Sequence, residues 1–119
     1  MPDSISDFFD AWAIRDSKRR MEQIQGSVSE NVQYDDPRTT ETVNGITALS
    51  HYVGLFSENA PGWSAKVIKS DMIAGVSRVT VAFSGIGPDG SEQVQFGQYF
   101  VEKDGEFITR MVGFVGTGK

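Results

Sequence analysis

The sequence predicts an α+β fold, with helices in its first half and long antiparallel strands in its second. Two observations carry this. Up to about residue 58 the apolar residues recur at helical spacing, interrupted by one short alternating run. From Trp63 onward they alternate along long runs broken by turn pairs. Runs of helices followed by runs of strands place the two kinds of element in separate layers. At 119 residues the chain reads as one domain over residues 1–119, large enough for a core and one modest pocket.

The first helix is expected from about Ser4 to Arg15, with Ile5, Phe8, Phe9 and Trp12 on one face. Ser4 suits the N-cap and Asp7 the first turn. Trp12 has two readings. It is plain core, or its indole N–H points into a cavity, because a buried Trp seeks a partner for that group. A second helix runs from Ser17 or Lys18 to about Gln25, with Met21 and Ile24 on its inner side and Gly26 at its end. Lys18, Arg19 and Arg20 read as its solvated surface. Val32–Asp36 is a short strand with Val32, Tyr34 and Asp36 inward and Gln33 and Asp35 outward. The third helix spans about Ile46 to Glu58, with Ile46, Leu49, Val53 and Phe56 as its buried stripe. His51, the only histidine, lies about 200° around the helix from Val53 and is expected at the surface.

Four long strands follow, over Trp63–Ile73, Val76–Ile86, Glu92–Lys103 and Phe107–Val115. Ala74-Gly75, Gly87-Pro88-Asp89-Gly90 and Asp104-Gly105 supply the turns. Val79, Val81 and Phe83 share a face. In the third long strand Val94, Phe96, Gln98 and Phe100 read as inward, and Gln95, Gly97, Tyr99 and Val101 as outward. Gly75, Gly85, Gly97 and Gly113 permit bulges and bending. A bent sheet around a helix leaves a concave interior, where a small ligand would sit. Gly116-Thr117-Gly118-Lys119 reads as a frayed tail.

Composition excludes several classes. Net charge is −5, with no basic cluster larger than Lys18-Arg19-Arg20, so a nucleic-acid partner is not expected. There are no cysteines, which excludes disulfides and thiolate metal sites. The N-terminus does not read as a signal peptide, and no apolar run has membrane-spanning length. The expected location is cytoplasmic. Asp35, Asp36 and Glu41 lack a histidine to complete a metal site. No P-loop, GxGxxG or nucleophile elbow occurs, so no metal or cofactor is expected.

The stretch Tyr34–Gly45, YDDPRTTETVNG, carries the most information. Pro37 stops the strand, and side-chain alternation sends Asp35 and Asp36 to opposite faces. One carboxylate then looks into the protein, where a pocket would hold a single acidic group.

This plan, with its YDDPR…NG segment, resembles the nuclear transport factor 2-like superfamily in its SnoaL-like and ketosteroid isomerase-like branch. The resemblance covers essentially the whole chain. It rests on the aromatic first helix, the Asp36-Pro37 pair at a strand end, Gly45 before the third helix, and the closing sheet. It implies a cone-shaped barrel, with three N-terminal helices packed in a strongly curved mixed or antiparallel sheet. It also implies a homodimer through the outer sheet face, here carrying Gln95, Tyr99 and Val101. By the same resemblance Asp36 falls at the general base of the steroid isomerases. Their oxyanion-hole tyrosine falls at Trp12 and their protonated aspartate at Gln98. Both side chains donate hydrogen bonds, but neither is a phenol or a neutral carboxylic acid.

The expected site therefore has Asp36, Trp12 and Gln98 as catalytic groups. Phe56, Phe83, Phe96, Phe100 and Met111 form its walls, Tyr34 lies within it, and Arg38 stands at its rim to clamp an acidic ligand or pair with Asp35. The expected ligand is a small apolar or carbonyl-containing molecule. Two classes of function fit. One is an isomerase, cyclase or dehydratase with an Asp base. The other is a non-catalytic ligand-binding or dimerisation module of the same fold.

Overall fold

The computed structural model describes residues 3–116. Met1 and Pro2 lie outside the described residues, as does the end of the expected frayed tail, Thr117–Lys119. Helix α1 spans Ser4–Asp10 and continues as a 3-10 turn over Ala11–Ala13. Its N-cap is Asp3, one residue before the expected Ser4: the carboxylate accepts from the N–H groups of Ile5 and Ser6. A charged acceptor outcompetes the neighbouring hydroxyl for those donors. Helix α2 (Ser17–Gln25) ends at Gly26, and α3 covers Ile46–Asn59. Gly45 precedes α3 with φ 88°, a conformation that glycine adopts without a steric cost.

Six strands form one mixed sheet: β1 (Val28–Asp35), β2 (Val43–Asn44), β3 (Ser64–Ile73), β4 (Val76–Ile86), β5 (Glu92–Asp104) and β6 (Phe107–Val115). Their spatial order is β2-β1-β6-β5-β4-β3. The β1–β6 pair is parallel and every other pair antiparallel. The first strand starts earlier than its alternation suggested, because Val28 already pairs in the sheet opposite Ile108. The sheet is curved and does not close. Its inner face covers the helices, and the core joins Phe8, Phe9 and Trp12 to Leu49, Val53, Val79, Val81, Val101, Ile108 and Met111.

The bulges fall away from the glycines. Register shifts occur between Val67 and Lys69 in β3 and at Thr109, whose hydroxyl donates to the carbonyl of Glu102 at 3.1 Å. The sheet glycines instead make room for rings. A Cβ at Gly113 would stand 2.5 Å from the Tyr99 ring, which lies across it on the neighbouring strand.

Two expectations reverse. In β5 the buried residues are Gly97, Tyr99 and Val101, while Phe96 and Phe100 are exposed. Choosing the face by size of apolar side chain gave the wrong parity. The inner face is set by Tyr99, which needs a buried hydrogen-bond partner, and by Gly97 beneath the Phe83 ring. In α2, Arg20 is buried instead of solvated. His51 lies exposed, as its helical position required.

Candidate functional site

Asp36 builds its own platform. With Pro37 next, the sequence Asp36-Pro37-Arg38-Thr39 has the Asp and Pro preferences of a tight turn. Thr39 N–H donates to the Asp36 carbonyl at 3.1 Å. Asp36 Oδ1 accepts from Arg38 N–H at 2.8 Å and Thr39 N–H at 3.2 Å. The Thr39 hydroxyl accepts from Asp36 N–H at 3.1 Å and donates to the Asp36 carbonyl at 2.9 Å. One carboxylate oxygen thus fixes the turn and leaves the other for the interior.

That second oxygen collects phenols. Asp36 Oδ2 accepts from Tyr34 Oη–H at 2.8 Å and from Tyr52 Oη–H at 2.6 Å. Tyr34 and Asp36 are two residues apart and share the inner side of the chain. Asp35 takes the other side and accepts from Thr42 Oγ1 at 2.9 Å. Tyr34 Oη lies 3.0 Å from Tyr99 Oη. A phenol has one proton, and Tyr34 places its own on the carboxylate, so Tyr99 donates to Tyr34. All three tyrosines of the chain therefore serve one carboxylate, from β1, α3 and β5.

Around this network the rings close up. Trp12 packs against Phe56 at 5.0 Å, Phe83 at 5.6 Å, Tyr34 at 6.3 Å and Tyr52 at 6.4 Å between centroids. Its Nε1–H is buried and has no hydrogen-bond partner among the described residues. Met111 is buried on the inner face opposite Tyr34.

The structure brings Asp36, Trp12, Tyr34, Phe56, Phe83 and Met111 to the inside. It does not bring Gln98, Phe96 or Phe100 there. Gln98 pairs with Thr80 and Phe114 on the outer face, flanked by Phe96 and Phe100. Arg38 is exposed and forms no ion pair among the described residues, and Asp35 takes a threonine in its place. Tyr52 was not named from the sequence, and Tyr99 was expected on the outer face instead of in the site. Tyr52 was legible in principle, since it lies three residues after Leu49 and four before Phe56 on the same helix face. Tyr99 was hidden by the reversed strand parity. Among the described residues no three metal-ligating side chains come together.

Burial, the Asp36 charge and the neighbouring phenols hold Tyr34 well above the ordinary phenol range. Burial and the hydrogen bond to Asp36 raise Tyr52 strongly. Burial also raises Tyr99, against an opposing hydrogen bond with Tyr34. The three side chains are therefore hydrogen-bond donors near neutral pH, not bases. Below about pH 10 the phenols are neutral in folded and unfolded chains alike, and their contribution to stability is complete. Above it the unfolded chain loses protons first, so stability falls as pH rises toward the folded-state values. The native protein is expected to show no tyrosinate absorbance at about pH 11, one unit above the ordinary phenol pKa. Absorbance developing in the folded protein at that pH would contradict the network.

The fold has many solved counterparts. A candidate isomerase of the SnoaL-like family from Agrobacterium tumefaciens superposes with a TM-score of 0.79 at 22% identity, covering 96% of this chain and 95% of that one. A protein from Catenulispora acidiphila with a ketosteroid isomerase-like fold, in complex with trimethylamine, gives 0.76 at 12% identity, covering 98% and 87%. A candidate SnoaL-like polyketide cyclase from Jannaschia gives 0.75 at 13% identity, covering 93% and 81%. No protein-family model matches the sequence, and no curated protein matches it. The chain has the nuclear transport factor 2-like fold, in the form shared by SnoaL-like and ketosteroid isomerase-like proteins.

Proposed function

We propose that the protein binds a small carbonyl-containing molecule at Asp36 and moves a proton next to its carbonyl, as an isomerase, cyclase or dehydratase. The observation that carries this reading is the network of three phenols tied to one inward carboxylate, Tyr34 and Tyr52 directly and Tyr99 through Tyr34. Oδ1 is committed to the turn, so Oδ2 is the basic atom. Tyr52 is half-buried and is the one phenol of the three with access to solvent, so it is the one a ligand displaces. The substrate C–H proton passes to Oδ2 as the C–H electron pair forms a carbon–carbon double bond and the carbonyl π pair moves onto the oxygen. The released Tyr52 O–H donates to that oxyanion, and the unpartnered Trp12 Nε1–H is a second donor in the same aromatic cluster. Return of the proton from Asp36 to a different carbon completes an isomerisation. Aromatic walls exclude water, and donors aimed at the developing charge supply the stabilisation. The isomerase and cyclase assignments of two structural neighbours fit this chemistry.

One observation favours the non-catalytic reading. All the acceptor positions of Asp36 are filled, as in a carboxylate that only holds the fold together. The two readings separate on turnover. Asp36→Asn keeps the shape and removes the basicity, and is expected to lower kcat on any turned-over enolisable ketone by about 10²–10⁴-fold. Tyr52→Phe is expected to lower it by about 10²-fold, mostly in kcat. Unchanged turnover in Asp36→Asn would remove Asp36 as the base.

We also propose that two copies pair through the outer sheet face. Tyr99 and Val101, the residues expected there, are inside. In their place Phe96 (44% exposed), Phe100 (38%) and Phe114 (54%) form an apolar patch, with Phe100 and Phe114 in edge contact at 5.8 Å. Apolar rings gathered on one exposed surface mark an association site. The wild type is expected to sediment as a dimer at micromolar concentration and Phe100→Glu as a monomer. A monomeric wild type would contradict the pairing.

A further inference from the structure

Helices α2 and α3 leave an open groove of about 440 Å3 between their outward flanks, on the side of α3 away from Tyr52 and Asp36. Arg20 lines it. That side chain is 8% exposed. Its Nη1 donates to the carbonyls of Ile14 at 2.9 Å and Arg15 at 3.4 Å. Its Nε is buried without a partner, and Nη2 makes no hydrogen bond among the described residues. Among the described residues no carboxylate pairs with it either. The ion pairs among the described residues are Arg78–Asp71 and Arg110–Glu102. A guanidinium has five donors in a fixed fork, and a cation withdrawn from water without an opposite charge is costly.

The neighbours of Arg20 suit an anion. The guanidinium rests against Gly54 of α3, where an added Cβ would fall 2.7 Å from Nη2. Glycine at this point lets the cationic fork sit between the helices. Ser17, Thr47 and Ser50 bring hydroxyls to the groove, and Lys18 brings a second positive charge. Glu58 is its single acidic lining residue. We propose that this groove binds a small oxyanion, the carboxylate or phosphate group of a small molecule, with Arg20 as the group that receives it. Nη2 remains free to donate to either head, and nearby hydroxyls complete the donor set.

Calorimetric titration of the wild-type protein with inorganic phosphate and with acetate, each against chloride at equal ionic strength, tests this. Saturable binding of phosphate alone identifies a phosphate head, and of acetate alone a carboxylate; either supports the site. Heat no greater than that of chloride for both would overturn it. Arg20→Gln is expected to weaken the bound anion at least tenfold. Gly54→Ala puts a better helix former in mid-helix while its Cβ displaces the guanidinium, so it is expected to weaken binding similarly and remains informative if Arg20→Gln does not fold. Undiminished binding in either variant would overturn the assignment to Arg20.

Discussion

The interior depends on one shared acceptor. Asp36 divides its carboxylate between a surface turn and the buried phenols, and so couples the chain just after β1 to α3 and β5. Without that acceptor, the hydroxyl of Tyr34 would be buried in a low-dielectric interior with Tyr99 as its only neighbour. A buried donor without a partner costs about 1–3 kcal/mol. The Asp-Pro pair is what makes the arrangement local. Proline ends the strand, the turn fixes Oδ1, and the remaining oxygen points where the phenols are.

Packing and chemistry meet in the aromatic rings. Trp12, Phe56 and Phe83 pack together beside the network and cover its inner side. The same rings fill much of the concave interior, so the fold resembles a lined mouth more than an empty bowl. The curved sheet accommodates these rings where its side chains vanish: Tyr99 lies over Gly113 and Phe83 approaches Gly97. Substituting those glycines would push rigid rings, not flexible chain ends, and overpacking of that kind is poorly tolerated.

Much of the fold was legible in the sequence. Helical periodicity located the core stripe of α3, and turn signals placed the connections between the four long strands to within a residue. Alternation around Pro37 put Asp36 beside Tyr34 and Asp35 on the other side, as the hydrogen bonds have it. The face of β5 was not legible from apolarity, because both of its faces carry large side chains. What decides it is the hydroxyl of Tyr99, which finds its partner 65 residues away in sequence. The burial of Arg20 was hidden for a related reason. A basic triplet reads as solvated surface, and only the packing of α2 on α3 shows that Gly54 opens a place for the third member.

The most direct test of the shared-acceptor account is a double-mutant cycle between Asp36 and Tyr34, read by chemical denaturation. Asp36→Ala, which removes the acceptor, Tyr34→Phe and the double variant are compared with wild type. If the carboxylate anchors the buried phenols, the two changes are strongly non-additive, with a coupling of about 1–2 kcal/mol. Additive losses, with a coupling near zero, would mean that Asp36 only shapes its turn and that the phenols are held by packing alone.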